Sequence, residues 1–276
     1  SMRINKAKIF YDQEFIANCI SSIFDQPFWI EHEDGSISLD KESSAQVYLG
    51  HVLPSLGFRN FPIGDDLVPV QVNGALVRAV DDHDIKKFVQ YVLNRIPNGN
   101  LILDQMTTRY NQYFDSKILT ALRIEFDREQ LKDKRFSANR FYANGIVRIS
   151  RNSEEVELVP YEDLEEDQFV WVDQVINRHF DPELAGRFDE DQFCSDIQDQ
   201  PGHHFHKWMQ NLCRRQEPNG SWTFDQKKFK SLASGFGYAI HQFWADSKCV
   251  ILLDEEMHEG QANGRTGKSV VVKDAM

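Results

Sequence analysis

Lys248-Cys249-Val250-Ile251-Leu252-Leu253-Asp254 leads through Glu255-Glu256-Met257-His258-Glu259-Gly260-Gln261-Ala262-Asn263 into Gly264-Arg265-Thr266-Gly267-Lys268-Ser269. A near-continuous apolar run is the pattern of a strand buried on both faces of a parallel sheet. The glycine-rich segment behind it matches the end of a phosphate-binding loop, and it stands where such a loop belongs, after a strand and at the start of a helix. Glycines let backbone amides curl around a phosphate, the lysine supplies positive charge, and the serine hydroxyl ligates magnesium. The full pattern GxxxxGK[ST] asks for glycine where Ala262 stands, with Gly260 and Gly264 on either side. Alanine fits that place if its φ stays negative. The cofactors expected are therefore ATP and Mg2+.

Only Val270 to Met276 follow the loop. A complete phosphate-loop enzyme also needs an acidic strand for magnesium and stabilising arginines, which normally lie downstream. The expectation is a chain cut just past its nucleotide loop and nearly inactive alone. Asp254, Glu255 and Glu256 close the buried strand at the carboxyl end, where α/β sheets put ligands. They either bias magnesium and water there or simply face solvent.

The rest of the chain is read by pattern. Residues 9–24 have the apolar spacing of a helix, and residues 28–39 are extended with a turn at Asp34-Gly35. A short helix is expected over 43–53. Residues 67–80 read as two strands about Asn73-Gly74. Ile85, Phe88, Val89, Val92, Leu93 and Ile96 mark a helix over 82–96, capped by Asp81 or Asp82 and stopped by Pro97. Residues 101–135 look helical. A second Asn-Gly turn at Asn144-Gly145 splits the strand 141–150, and β character continues from Val156 to Tyr161.

The acidic stretch 161–167 suggests a boundary. Beyond it, 204–215 and 226–244 read as helices separated by Pro218-Asn219-Gly220. The fold expected is an α+β module over 1–160, compatible with winged-helix-like elements. A mostly helical segment over 161–276 would then lead into the first strand and loop of an α/β NTPase domain.

Composition bounds the function. The 276 residues are 41% apolar and 27% charged, the balance of a globular protein rather than a disordered or fibrous one. The longest uninterrupted apolar run, Cys249 to Leu253, is far short of a membrane span. Ser1 before Met2 reads as a tag-cleavage scar, and no secretory leader follows. Cys19, Cys194, Cys213 and Cys249 stand apart with no CxxC pair, which suits a reducing cytoplasm. Net charge is −12, of which residues 1–150 contribute −1 and residues 151–276 contribute −11. A broad basic face is excluded, so contact with nucleic acid must be local.

Several segments resemble the phage and plasmid primase-helicases, with a helicase part of superfamily-3 type. They are Phe141-Tyr142-Ala143-Asn144-Gly145-Ile146-Val147, Tyr161-Glu162-Asp163-Leu164, Val170-Trp171, Gly235-Phe236-Gly237-Tyr238, Ile251-Leu252-Leu253-Asp254-Glu255 and Gly264 to Ser269. The resemblance covers about residues 65–276. It implies an ATP-driven ring helicase of a mobile element in the bacterial host cytoplasm, a homo-oligomer that moves along single-stranded or forked nucleic acid during replication. By position, Lys268 would be the catalytic contact to the β- and γ-phosphates. Ser269 would hold the magnesium, and the amides of Gly264, Arg265, Thr266 and Gly267 would hold the phosphates.

Two other classes stay open: a non-catalytic module for DNA binding or oligomerisation, and another phosphate-loop phosphotransferase. Lesser constellations have plain alternatives. Asp81-Asp82-His83-Asp84 is either a set of metal ligands or a helix cap. His203-His204-Phe205-His206 with Cys213 is metal-capable, or a helix start with exposed histidines. Arg214, Arg215, Lys227, Lys228 and Lys230 with Trp208 and Trp222 suit a single strand, or an amphipathic surface. Lys132, Lys134, Arg135 and Arg140 are further phosphate candidates, interspersed with acids.

Overall fold

The structure, a computed structural model, describes residues 6–40, 43–115, 126–153, 156–182 and 204–240. It is mixed α/β and divides into two compact units interleaved along the chain. The first holds 1–131, 140–147 and 158–180, and the second holds 132–139, 148–157 and 181–276.

The first unit begins with α1 (Lys6–Phe10) and α2 (Gln13–Asp25). The expected single helix is broken at Tyr11-Asp12, where the Asp12 carboxylate accepts the Phe15 amide at 2.7 Å and caps α2. A short hairpin, β1 (Ile30–Glu31) with β2 (Ile37–Ser38), turns at Asp34-Gly35 as read from the sequence. Next come α3 (Ser43–Val47), one π-helical turn at Tyr48–Val52 and α4 (Leu53–Ser55). β3 (Phe58–Ile63), β4 (Asp66–Asn73) and β5 (Leu76–Ala79) form an antiparallel meander. Asn73 pairs with Leu76, so the chain reverses through Gly74, whose φ of 57° suits glycine best.

Helix α5 (Asp82–Leu93) buries Ile85, Phe88, Val89, Val92 and Leu93 on one face. Asp81 caps it by accepting the Asp84 amide at 2.7 Å. Helices α6 (Gly99–Thr108) and α7 (Tyr110–Tyr113) follow. The helical reading of 101–135 holds for α6 and α7 and fails from Phe126 onward, while residues 116–125 lie outside the described residues. Phe126 donates its amide to the Asn60 carbonyl, and β6 (Glu129–Gln130) joins a sheet.

That sheet has the order β3-β4-β5-β10-β6, with β10 (Gln168–Trp171) parallel to both β5 and β6. Residues 168–171, inside the segment expected to be mostly helical, therefore form a sheet strand. Phe169 and Val170 are fully buried, one on each face, as an interior strand requires. Val170 packs with Phe10, Leu76, Phe141, Ile146 and Val159 on one side, and Phe169 with Val70, Val77 and Phe126 on the other. A second sheet has the order β7 (Ser137–Tyr142), β8 (Gly145–Ser150), β9 (Glu157–Val159). At its Asn-Gly turn, Asn144 exchanges two hydrogen bonds with the backbone of Phe180, at 2.8 and 2.9 Å.

In the second unit, α8 (His204–Leu212) and α9 (Gln226–Ile240) flank a hairpin of β11 (Arg214–Gln216) and β12 (Trp222–Phe224). Arg214 and Arg215 thus leave the expected helix for a strand. Met209, Cys213 and Phe229 form the small core, with Trp208, Phe224 and Phe236 against it. The apolar run 248–254 lies outside the described residues.

Candidate functional site

A groove of about 390 Å³ in the first unit is lined by Lys8, Tyr11, Arg78, Asp84, Lys87, Phe88 and Tyr91. Its residues come from the end of α1, the α1–α2 break, β5 and one side of α5. The break between α1 and α2 sets Tyr11 over α5, where its ring stacks on Phe88 with centroids 5.0 Å apart and planes 20° apart. Phe88 continues the stack to Tyr91, itself 42% exposed. The Arg95 guanidinium lies 3.4 Å from the centre of the Tyr91 ring.

Polar order runs along one wall. Arg78 pairs with Asp84 at 2.6 Å and donates to the Tyr11 hydroxyl at 2.6 Å. The Tyr11 hydroxyl donates to Gln71 Oε1 at 2.8 Å, and the fully buried Gln71 donates to the Leu56 carbonyl at 3.0 Å. Burial raises the Tyr11 pKa above its ordinary value against the opposing pull of Arg78. The phenol keeps its proton, and none of the lining groups is arranged as a nucleophile with a base beside it. The arrangement suits binding: a ring stack for a planar group, Asp84 neutralising Arg78, and the exposed Lys8 and Lys87 for an anion.

The residues singled out in the sequence fall in different places. Gly264, Arg265, Thr266, Gly267, Lys268 and Ser269 lie outside the described residues, as do Asp254, Glu255, Glu256, Gly260 and Ala262. In the Asp81–Asp84 run, Asp81 caps α5 and Asp84 holds Arg78, while Asp82 accepts the His83 amide. Among the described residues no group of three or more His, Cys, Asp or Glu side chains is placed to hold a metal ion. The side chains of His203, His204 and His206 lie outside the described residues, and Cys213 is buried against Met209 and Phe229.

The two tryptophans of the basic-aromatic segment separate. Trp208 packs edge-on to Phe236 with centroids 6.4 Å apart, while Trp222 is 61% exposed on β12. Arg140 belongs to the first unit, whereas Lys132, Lys134 and Arg135 belong to the second. Sequence reasoning missed the groove because its members, Lys8 to Tyr91, share no local spacing. The one available signal was Tyr11 interrupting an otherwise helical apolar pattern.

Comparison with models of protein families, with curated proteins and with solved structures produced no match.

Proposed function

We propose that this chain carries the phosphate-binding loop of an ATP-dependent nucleic-acid motor of the primase-helicase type, with ATP and Mg2+ held by Gly264 to Ser269. The observation that carries the reading is the sequence Gly264-Arg265-Thr266-Gly267-Lys268-Ser269 directly behind an apolar strand pattern, the context this loop requires. The described part supports it more loosely, through cation-and-aromatic surfaces of the kind that hold a nucleotide or a single strand.

The test is titration of a fluorescent ATP analogue with Mg2+, for the wild type and for Lys268→Ala. A charge-assisted contact to phosphate is worth roughly 1.5–3 kcal/mol, so the variant should bind about 10- to 100-fold more weakly with unchanged melting behaviour. Equal binding by both proteins removes the loop assignment.

A second reading, a non-catalytic nucleic-acid-binding or assembly module, is favoured by the absence of an arranged nucleophile or base among the groove residues. It predicts oligonucleotide affinity that ignores ATP. A phosphotransferase would instead move the γ-phosphate to a small acceptor without stimulation by nucleic acid.

A further inference from the structure

In the second unit the chain makes a tight turn between Lys134 and Ser137, which exchange both backbone hydrogen bonds at 2.9 and 3.2 Å. Arg135 and Phe136 are its tip. The Phe136 ring is 48% exposed. It does not hang free: the Arg151 amide donates to the Phe136 carbonyl at 2.9 Å, tying the tip to the end of β8. Two guanidiniums lie over the ring, Arg135 at 5.2 Å and Arg151 at 5.7 Å from its centre.

The acid that breaks this basic segment in the sequence is buried. Asp133 is 6% exposed and accepts the Asn139 amide at 2.7 Å. Arg148 is held by Glu157 at 3.8 Å. Among the described residues, Lys132, Lys134, Arg135 and Arg151 have no carboxylate within ion-pair distance. A chain of net charge −12 thus places two guanidiniums over one exposed ring, with Lys132 and Lys134 close by in sequence.

We propose that this turn is a seat for single-stranded nucleic acid: a base stacks on Phe136, and the flanking phosphates meet Arg135, Arg151, Lys132 and Lys134. Charge complementarity selects the partner, because a polyanion is drawn to a local basic group on an acidic protein that repels it elsewhere. The exposed ring selects a single strand over a duplex, since only unpaired bases offer a free face. A seat built on stacking and phosphate contacts tolerates any base, because every base has a π-face. This inference rests on the nucleic-acid half of the proposed function and is independent of the phosphate loop.

The experiment uses the full chain and a fluorescent oligothymidylate, with affinity followed by anisotropy over a series of salt concentrations. Phe136→Ala should weaken binding about 5- to 100-fold, the range for loss of one base stack, and Phe136→Trp should preserve it. Arg135→Gln with Arg151→Gln should flatten the dependence of log affinity on log salt by about 1.4, the value for two phosphate contacts to a single strand. Lys227→Gln with Lys230→Gln, which removes equal charge from α9, should leave affinity unchanged.

Equal loss from the α9 pair would overturn the seat in favour of general electrostatics, and so would an undiminished Phe136→Ala. Binding to anionic phospholipid vesicles but not to the oligonucleotide would overturn it in favour of a membrane surface. The nucleotide titration of Lys268→Ala separates the two ideas. Oligonucleotide binding through Phe136 without ATP binding keeps the seat and removes the motor, and the reverse result keeps the motor and removes the seat.

Discussion

Two tyrosine hydroxyls show how the same group can help or harm. The Tyr11 hydroxyl bridges Arg78 and Gln71 along the groove wall, whereas the fully buried Tyr48 hydroxyl has no hydrogen-bond partner among the described residues. A buried donor left unsatisfied costs about 1–3 kcal/mol, and a satisfied one contributes about 0.5–1.5 kcal/mol. Tyr11→Phe should therefore lower stability by about 1–2 kcal/mol, since it also strands Gln71, while Tyr48→Phe should raise it by about 1 kcal/mol or more. Denaturant midpoints at constant slope would read both, and a Tyr48→Phe protein weaker than the wild type would contradict the assignment. At this scale the sequence shows residue types but not partners. Asp81 was legible as a cap because the bond is local, whereas the Tyr11 to Gln71 bond joins α1–α2 to β4 and leaves no local pattern.

Elements with one strong period were read correctly. The stripe of α5 and the Asn-Gly turns at 73–74 and 144–145 all stand where the pattern put them. The elements misread or passed over are short or two-sided. β10 has only four residues and is buried on both faces, so it shows neither alternation nor a helical stripe. The hairpin of β11 and β12 was hidden because the turn at Pro218-Asn219-Gly220 separates strands of only three residues each. The expected helix over 43–53 is present, but its middle turn is π-helical, with the Leu53 amide reaching the Tyr48 carbonyl. Gly50 sits exposed in that turn with open space where a Cβ would go. Gly50→Ala should stabilise the protein by about 0.5–1 kcal/mol by restricting the unfolded chain. An unchanged or lower melting temperature would show that the wider turn needs glycine after all.

The molecule as a whole should lose stability in alkali. Burial, with the charge of Asp12 second, pushes the Cys19 thiol up to about 12, and burial likewise raises Tyr11, Tyr48, Tyr113 and Tyr161. These groups stay protonated in the fold after the unfolded chain has released their protons. Their contribution is thus complete below the unfolded pKa, near 8.5 for the thiol, and is lost as pH rises toward the folded value. Stability should fall by about 1.4 kcal/mol per pH unit above pH 9 from Cys19 alone, and more steeply above pH 10 as the tyrosines join. Cys19→Ala should flatten the first part of that decline, although its truncated side chain lowers the plateau. A pH series of urea midpoints checks both slopes. The position of β10 between β5 and β6 matters at birth as well. Trp171 pairs with Val77, about 90 residues behind it, so a ribosome adding roughly 5–20 residues each second leaves the flank of β5 unpaired for some 5–20 seconds. During that interval the nascent chain offers an open strand to its neighbours on a polysome, and a chaperone that covers residues 76–79 until the exit tunnel has released Trp171 would raise the yield of folded protein.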